Sequence, residues 1–264
     1  MRCTALTSIA EVLVAWGVAV HLVSAASPPV IVVDEVHGEK FRIEAQGKLD
    51  LSQLAAAFRH AGATVESSKQ PLTDDRLAHV DALVVSGAFA SFTGAEIDAV
   101  THFLDRGGRL AVMLHVPFPL TPLLRRLHVD FANGVVRERE HMIGDNPMNF
   151  QVTAFGVHAL TRNVDAIAVF GVWALRSEDG SAAIIARTSP SAWVDLNGNG
   201  SLDTGDAVQS FGVAVAGQLG RGWFVVFGDD AIFQNEFLTK GNAVLARNLA
   251  CWLARADCRT EGTT

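Results

Sequence analysis

The stretch DALVVSGAFASFTGAEIDAVTHFLDRGGRLAVM, residues 81–113, decides the fold. Its opening, DALVVSG (81–87), is a short apolar run between an Asp and a Gly, the pattern of a strand buried on both faces. FTGAEIDAVTHFLDRGG (92–108) then sets Ile97, Val100, Phe103 and Leu104 on one helical face and closes on a glycine pair. RLAVMLHV (109–116) is a second apolar strand. A strand, a one-sided helix and another strand at this spacing imply a right-handed crossover between parallel strands. Toward the N-terminus, VIVVDEV (30–36) reads as a strand, DLSQLAAAFRHAG (50–62) as a helix ending at Gly62, and ATVES (63–67) as a short strand. The expected fold class is α/β, with a mostly parallel sheet flanked by helices on both faces.

Toward the C-terminus the pattern changes. Pro117, Pro119 and Pro122 punctuate the chain, and TPLLRRL begins a short helix with Pro in its first turn. From Phe150 to Asp229 the segments FQVTAF, AIAVFGVWAL, AAIIAR and FGVAVAG are strand-like, so the second half is β-rich. GQLGRG turns into GWFVVFGDD, which predicts an antiparallel hairpin of FGVAVAG with GWFVVFG. NAVLARNLACWLAR (242–255) is an amphipathic closing helix. With no internal repeat and no Gly-, Ser- or Pro-rich linker, residues 27–258 read as a single domain and 259–264 as a tail.

The chain has 264 residues, 49% of them hydrophobic, enough for a conventional core and too many for a disordered chain. Basic and acidic residues number 21 and 28, a net charge of −7, with no like-charged block of five; nucleic acid is therefore not an expected partner. Residues 1–26 read as a signal peptide: Arg2, then VLVAWGVAVHLV (12–23), then the small residues SAA (24–26). The expectation is a periplasmic or secreted protein that touches a membrane only through an uncleaved signal. Cys251 and Cys258 remain after cleavage, a candidate disulfide in an oxidising compartment. Seven residues along a continuous helix span about 10 Å, too far to bridge. Pairing therefore requires the helix to end near Arg255.

The succession resembles the glutamine-amidotransferase-like (flavodoxin-like) domains of exported bacterial proteins and ABC-transporter auxiliary proteins. The matching pieces are DEVHG (34–38), LSQLAAAFRHAGATV (51–65), residues 81–113, PLLRRLHVDFANGVV (122–136), SAWVD before a hairpin, and GDDAIFQNEF with GNAVLARNLACWL at the end. The resemblance implies a nucleophilic Cys in the elbow after RLAVMLHV, with a His–Glu pair downstream. Here the elbow reads LHVPFP and both later cysteines lie near the C-terminus, so the thioester route of glutamine hydrolysis is excluded by residue type.

In an open parallel sheet, ligands bind beyond the carboxyl ends of the strands. Those ends offer Asp34, Glu35 and His37, then Ser86, His115, Asp229 and Asp230, with Asn235 and Asn242 just beyond. Three roles compete: hydrogen bonds that fix the loops, a crevice for a small polar or glycan-like ligand, or a metal-assisted or His–carboxylate hydrolase. In the hydrolase, His37 or His115 is the base, Asp34 or Asp229 its orienting carboxylate, and Ser86 the nucleophile. VVSGAFAS lacks the leading Gly of a GxSxG elbow, and no HExxH-type metal helix is present. His60, His79, His102, His128, His141 and His158 are scattered and read mostly as surface residues.

A sharper motif is DLNGNGSLDTGD, residues 195–206. It fits a twelve-residue calcium loop, with Asp195, Asn197 and Asn199 at the first three ligand positions, Gly200 at the turn, then the Ser201 carbonyl, Asp203 and Asp206. Asp at the last position is shorter than the usual Glu, and the flanks look extended, so the loop joins strands. The alternative is an ion-free turn, since Asn and Gly also suit tight turns. Trp173, Trp193 and Trp223 could form a platform for sugar rings but fit core positions better. The expected function is a non-catalytic exported binding or scaffold domain, stabilised by Ca2+, for a small polar ligand or an envelope protein partner. The alternative is a hydrolase using His37, His115 and Asp229.

Overall fold

The computed structural model describes residues 27–115 and 118–256. The expected signal, the elbow residues 116–117, Cys258 and the tail lie outside this range. Strands β1 (Val30–Asp34), β2 (Thr64–Ser68), β3 (Ala82–Ser86) and β4 (Arg109–Met113) alternate with helices α1 (Ser52–His60), α2 (Asp74–Leu77) and α3 (Gly94–Asp105). After α4 (Thr121–Arg126) come β5 (Val129–Arg137), β6 (Met142–Ile143), β7 (Asn146–Val152), β8 (Ala154–Phe155), β9 (Ile167–Phe170) and β10 (Trp173–Ser177). Then follow β11 (Ala182–Arg187), β12 (Trp193–Val194), β13 (Ala207–Val208), β14 (Gly212–Leu219), β15 (Gly222–Phe227) and the closing helix α5 (Lys240–Ala254). None of the described helices is long and apolar enough to cross a membrane.

One large mixed sheet runs β13-β12-β5-β10-β14-β15-β4-β3-β1-β2, with β11 branching from β14 and β8 pairing with β11. β2, β1, β3, β4 and β15 are mutually parallel neighbours. β14 pairs antiparallel with β15 from Ala214↔Phe227 to Leu219↔Gly222, the hairpin read from the sequence. The second strand of that hairpin also lies parallel to β4, which the local sequence pattern does not reveal. Side chains alternate between two cores. Leu83, Val85, Phe224 and Val226 pack with α3 and α4 on one face. Ala82, Val84, Val225 and Phe227 pack with α1 and α5 on the other.

Two elements depart from the sequence reading. The run AIAVFGVWAL is two strands, because Gly171 takes a left-handed φ of +86° and breaks it. β9 joins β7 in a separate three-stranded sheet, and β10 pairs with β5 in the large one. The second departure is at the start of α3, which begins at Gly94 because Thr93 caps it: the Thr93 hydroxyl accepts from the Glu96 amide while the Glu96 carboxylate accepts from Thr93. At the other end of the chain α5 stops at Ala254, with Arg255 in the left-handed conformation. Cys251 is buried and disulfide-bonded, and its partner lies outside the described residues.

Candidate functional site

Because β1, β3, β4 and β15 are sheet neighbours, their carboxyl ends bring Asp34, Ser86, His115, Asp229 and Asp230 to one edge. Two ionisable clusters form there.

The first surrounds His37. The loop after β1 turns at Gly38, with φ +83°, and is tied down where the His37 carbonyl accepts the Phe89 and Ala90 amides. The His37 ring lies against Phe92, and its two nitrogens each meet a carboxyl group: Nδ1 lies 2.5 Å from Asp34 Oδ2, and Nε2 3.1 Å from Glu96 Oε1. With both carboxyl groups ionised both nitrogens donate, which only the imidazolium can do. Burial alone lowers the pKa of His37, but the hydrogen bond to Asp34 and the charges of Asp34, Glu96 and Glu39 outweigh it and raise it. Glu96 is fully engaged, also accepting from the Leu72 and Thr93 amides and the Thr93 hydroxyl. Glu39 is the opposite case. It is 2% exposed, and no hydrogen bond of good geometry from the described residues reaches either of its oxygens, nor Asp34 Oδ1, although its own amide and the Asp34 carboxyl lie close enough to act on it. Burial and the adjacent Asp34 push its carboxyl up to about 8.

The second cluster centres on His115, whose Nδ1 meets Asp230 Oδ1 at 3.1 Å. The His115 side chain is 39% exposed, between the rings of Phe41 and Phe89. The Asp230 hydrogen bond raises its pKa against the opposing effect of burial. Asp230 Oδ2 has no partner and approaches Gly87 so closely that a Cβ there would lie 2.7 Å from it. Asp229 is fully committed to the backbone, accepting from the Phe170 and Ala231 amides. Burial first, and Asp230 second, push its carboxyl up to about 7. Ser86 is 1% exposed and its hydroxyl has no partner among the described residues, neither histidine included.

The other candidates are held in structural contacts. Asn235 accepts from the Gln53 amide and donates to the Gly47 carbonyl and the Ser52 hydroxyl, joining the chain after β15 to the start of α1. Asn242 pairs with both backbone groups of Ala168. Glu35 accepts from Ile43 and Ser67 and lies 3.6 Å from Arg42. Of the scattered histidines, His60, His79, His102, His128 and His141 are exposed and His158 half-buried. Trp173, Trp193 and Trp223 share no surface: Trp193 is buried, Trp173 half-buried, and Trp223 exposed at the start of β15. Two cavities of about 470 and 460 Å3 are lined by neither His37 nor His115, one beside Phe170, Phe237 and Asn242, the other beside Phe131 and Leu196. Buried contacts and orphaned atoms therefore define the site better than open volume does.

Sequence reasoning missed Glu39 and Glu96. TGAE at 93–96 carries the spacing of a capping box and could have marked Glu96. Nothing in the local pattern marks Glu39, whose burial depends on the loop folding back onto β1.

Most of the 195–206 loop is exposed, and it is largely internally bonded. Asp195, its side chain 8% exposed, accepts from the Gly198 and Gly200 amides, both glycines having positive φ, and its Oδ2 also accepts from Arg137 Nη2 at 3.4 Å. The side-chain amides of Asn197 and Asn199 converge on Asp203 Oδ2 at 2.8 and 2.6 Å. Asp206 accepts from the Leu196 and Asp203 amides, and Ser201 donates its own amide to Asn199. Among the described residues the only close group of three His, Cys, Asp or Glu ligand atoms is Asp34, His37 and Glu39.

Residues 50–250 match the model of a family described as a domain of unknown function, DUF4350. No curated protein matches the sequence. Among solved structures, the chain resembles the mmIFT52 N-terminal domain, with TM-score 0.70, 17% identity, and 87% of this chain and 99% of that one covered. It also resembles a cytoplasmic protein from Salmonella typhimurium (TM-score 0.57, 14% identity, 85% and 99% covered). A ThuA-like protein from Bacteroides uniformis matches with TM-score 0.53, 15% identity, and 90% and 95% covered. At these identities the likeness is one of fold.

Proposed function

We propose that this chain, which belongs to the DUF4350 family, is a non-catalytic exported domain that binds a small polar ligand or an envelope protein partner at the carboxyl edge of its parallel strands. One observation carries this reading: the Ser86 hydroxyl is buried without a partner among the described residues, so it is not joined to a base there. His37, with both nitrogens bound to carboxylates, has no free lone pair to act as a base. What remains is a recognition surface of His115 between Phe41 and Phe89, backed by Asp230. The strand order β2-β1-β3-β4-β15 supports a flavodoxin-like, glutamine-amidotransferase-like sheet for this domain.

Calcium in the 195–206 loop belongs to the same reading. Asn197, Asn199 and Asp203 already converge, and reversing the two amides turns their oxygens toward the same point at the cost of the bonds they accept from the Asn199 and Ser201 amides.

One observation favours the hydrolase alternative: the His115–Asp230 pair is a half-exposed imidazole oriented by a buried carboxylate, as a base that activates water would be. The test uses 4-nitrophenyl acetate for turnover and a set of neutral and acidic monosaccharides for thermal shifts. The binding reading expects background ester cleavage, unchanged in His115→Ala, and a sugar-dependent rise in the unfolding midpoint that His115→Ala loses. Ester turnover above background that disappears in His115→Ala overturns it.

A further inference from the structure

We propose that the buried loop after β1 is a divalent-cation site, in which Asp34 Oδ1 and both carboxylate oxygens of Glu39 bind a hard ion such as Mg2+ or Mn2+. The geometry supplies two independent reasons. Asp34, His37 and Glu39 place ligand-type atoms within 4.8 Å of one another, and all three residues are buried. Among the described residues no hydrogen bond of good geometry reaches three of the cluster's oxygens: Asp34 Oδ1, Glu39 Oε1 and Glu39 Oε2. Buried polar groups are almost always paired, and an orphaned carboxylate costs far more than an orphaned neutral group.

The charge inventory agrees. With every carboxyl ionised, Asp34, Glu39 and Glu96 carry three negative charges against one on the His37 imidazolium, which leaves two to neutralise. Glu35, close by, already has Arg42. A proton shared between Asp34 and Glu39 satisfies part of this need. It supplies one O–H donor, however, and leaves other oxygens unpaired. A divalent cation matches the charge and can engage all three oxygens, with water completing its shell.

His37 acts here as a positioning residue. Its bond to Asp34 Oδ2 turns the other oxygen, Oδ1, toward the ion, as outer-shell partners of metal-binding carboxylates do. Glu96, anchored by the cap of α3, fixes His37 in turn. Carboxylate ligands without thiolate favour Mg2+, Mn2+ or Ca2+ over softer ions.

The experiment uses the full chain, stripped with EDTA and titrated with Mn2+, with free ion followed by electron paramagnetic resonance. An Asp195→Ala background silences the exposed loop. The expected result is one Mn2+ per Asp195→Ala chain, displaced by Mg2+, and weakened at least about tenfold by adding Glu39→Gln. Asp34→Asn is the second variant, and the urea midpoint of each establishes that it folds. No bound Mn2+ at millimolar concentration in Asp195→Ala, or unchanged affinity after Glu39→Gln, overturns the proposal. Binding lost with Asp195→Ala and kept with Glu39→Gln assigns the ion to the exposed loop and overturns it equally. His115→Ala should leave Mn2+ affinity intact, so failure of the ligand crevice and failure of this site are separable.

Discussion

Two acidic regions of this protein invite the same reading and differ in their physics. The 195–206 loop carries three Asp and two Asn in ligand register, lies mostly in solvent, and satisfies its side-chain oxygens with its own amides, with Arg137 added at Asp195. The Asp34–His37–Glu39 cluster has no recognisable motif, is buried, and leaves three oxygens without a hydrogen bond of good geometry among the described residues. In water an acidic group without a partner costs little. In the interior it must find a proton, a donor or a cation. The comparison teaches that ligand-type residues mark a possible site, whereas unmet hydrogen-bonding demand marks one that something has to complete.

The largest effect that could break this contrast is the loss of His37. His37→Ala removes the one cation among three buried carboxylates and should destabilise the protein by about 3–5 kcal/mol in urea unfolding. A loss below about 1 kcal/mol would mean that those carboxylates are already neutral and need no partner.

The second test is pH. The folded-state pKa of Asp229 is raised to about 7, and that of His115 is raised as well. Both groups therefore hold protons in the folded state that the unfolded chain has released. Their stabilising contribution is complete below the unfolded values, near 3.8 for Asp229 and 6.5 for His115. For Asp229 it fades as pH rises from about 4 to 7, and for His115 as pH passes its raised folded value. In urea unfolding between pH 5 and 7 the slope should be negative, at most about 1.4 kcal/mol per pH unit for each group. Asp229→Asn should flatten the lower part of the profile. A slope of the opposite sign would show that the two backbone amides hold Asp229 ionised against burial.

Calcium offers a third, smaller test on the exposed side. If the loop binds with a dissociation constant near 10⁻⁴ M, about 2 mM calcium stabilises by roughly 1.8 kcal/mol, and the thermal midpoint rises about 4–7 °C. Asp195→Ala should abolish the rise. No rise in the wild type would leave a self-sufficient turn and sharpen the contrast with the buried cluster. The smallest effect calibrates the scale: Lys48→Ala breaks an exposed pair with Glu236 at 3.0 Å and should cost under about 1 kcal/mol.

Much of the fold was legible because burial on both faces leaves a periodic record. VIVVDEV, DALVVSG and RLAVMLHV are continuous apolar runs, and the face of α3 repeats at the helical period. The strand ends were legible for the same reason, since polarity returns where each run stops, which is how Asp34, Ser86, His115 and Asp229 were found. The use of each residue was not legible. Of the competing roles left open at the strand ends, Asp229, Asn235 and Asn242 make the bonds to backbone that fix loops. Glu39, without a motif, is the carboxylate that no hydrogen bond of good geometry from the described residues reaches.

By itself the sequence determined the parallel α/β half, the hairpin of β14 with β15, the ligand register of the 195–206 loop and the absence of a cysteine at the elbow. These follow from local periodicity and residue type, which depend on neighbours in the chain. Only the tertiary structure decided that β15 extends the parallel block, that Gly171 sends β9 and β10 to different sheets, and that Glu96 reaches across to His37. Residues 59 positions apart met there because a capped helix and a strand-end loop converge at one sheet edge. Whether a polar group is satisfied depends on such convergence, and hydrophobic periodicity along the chain leaves no trace of it.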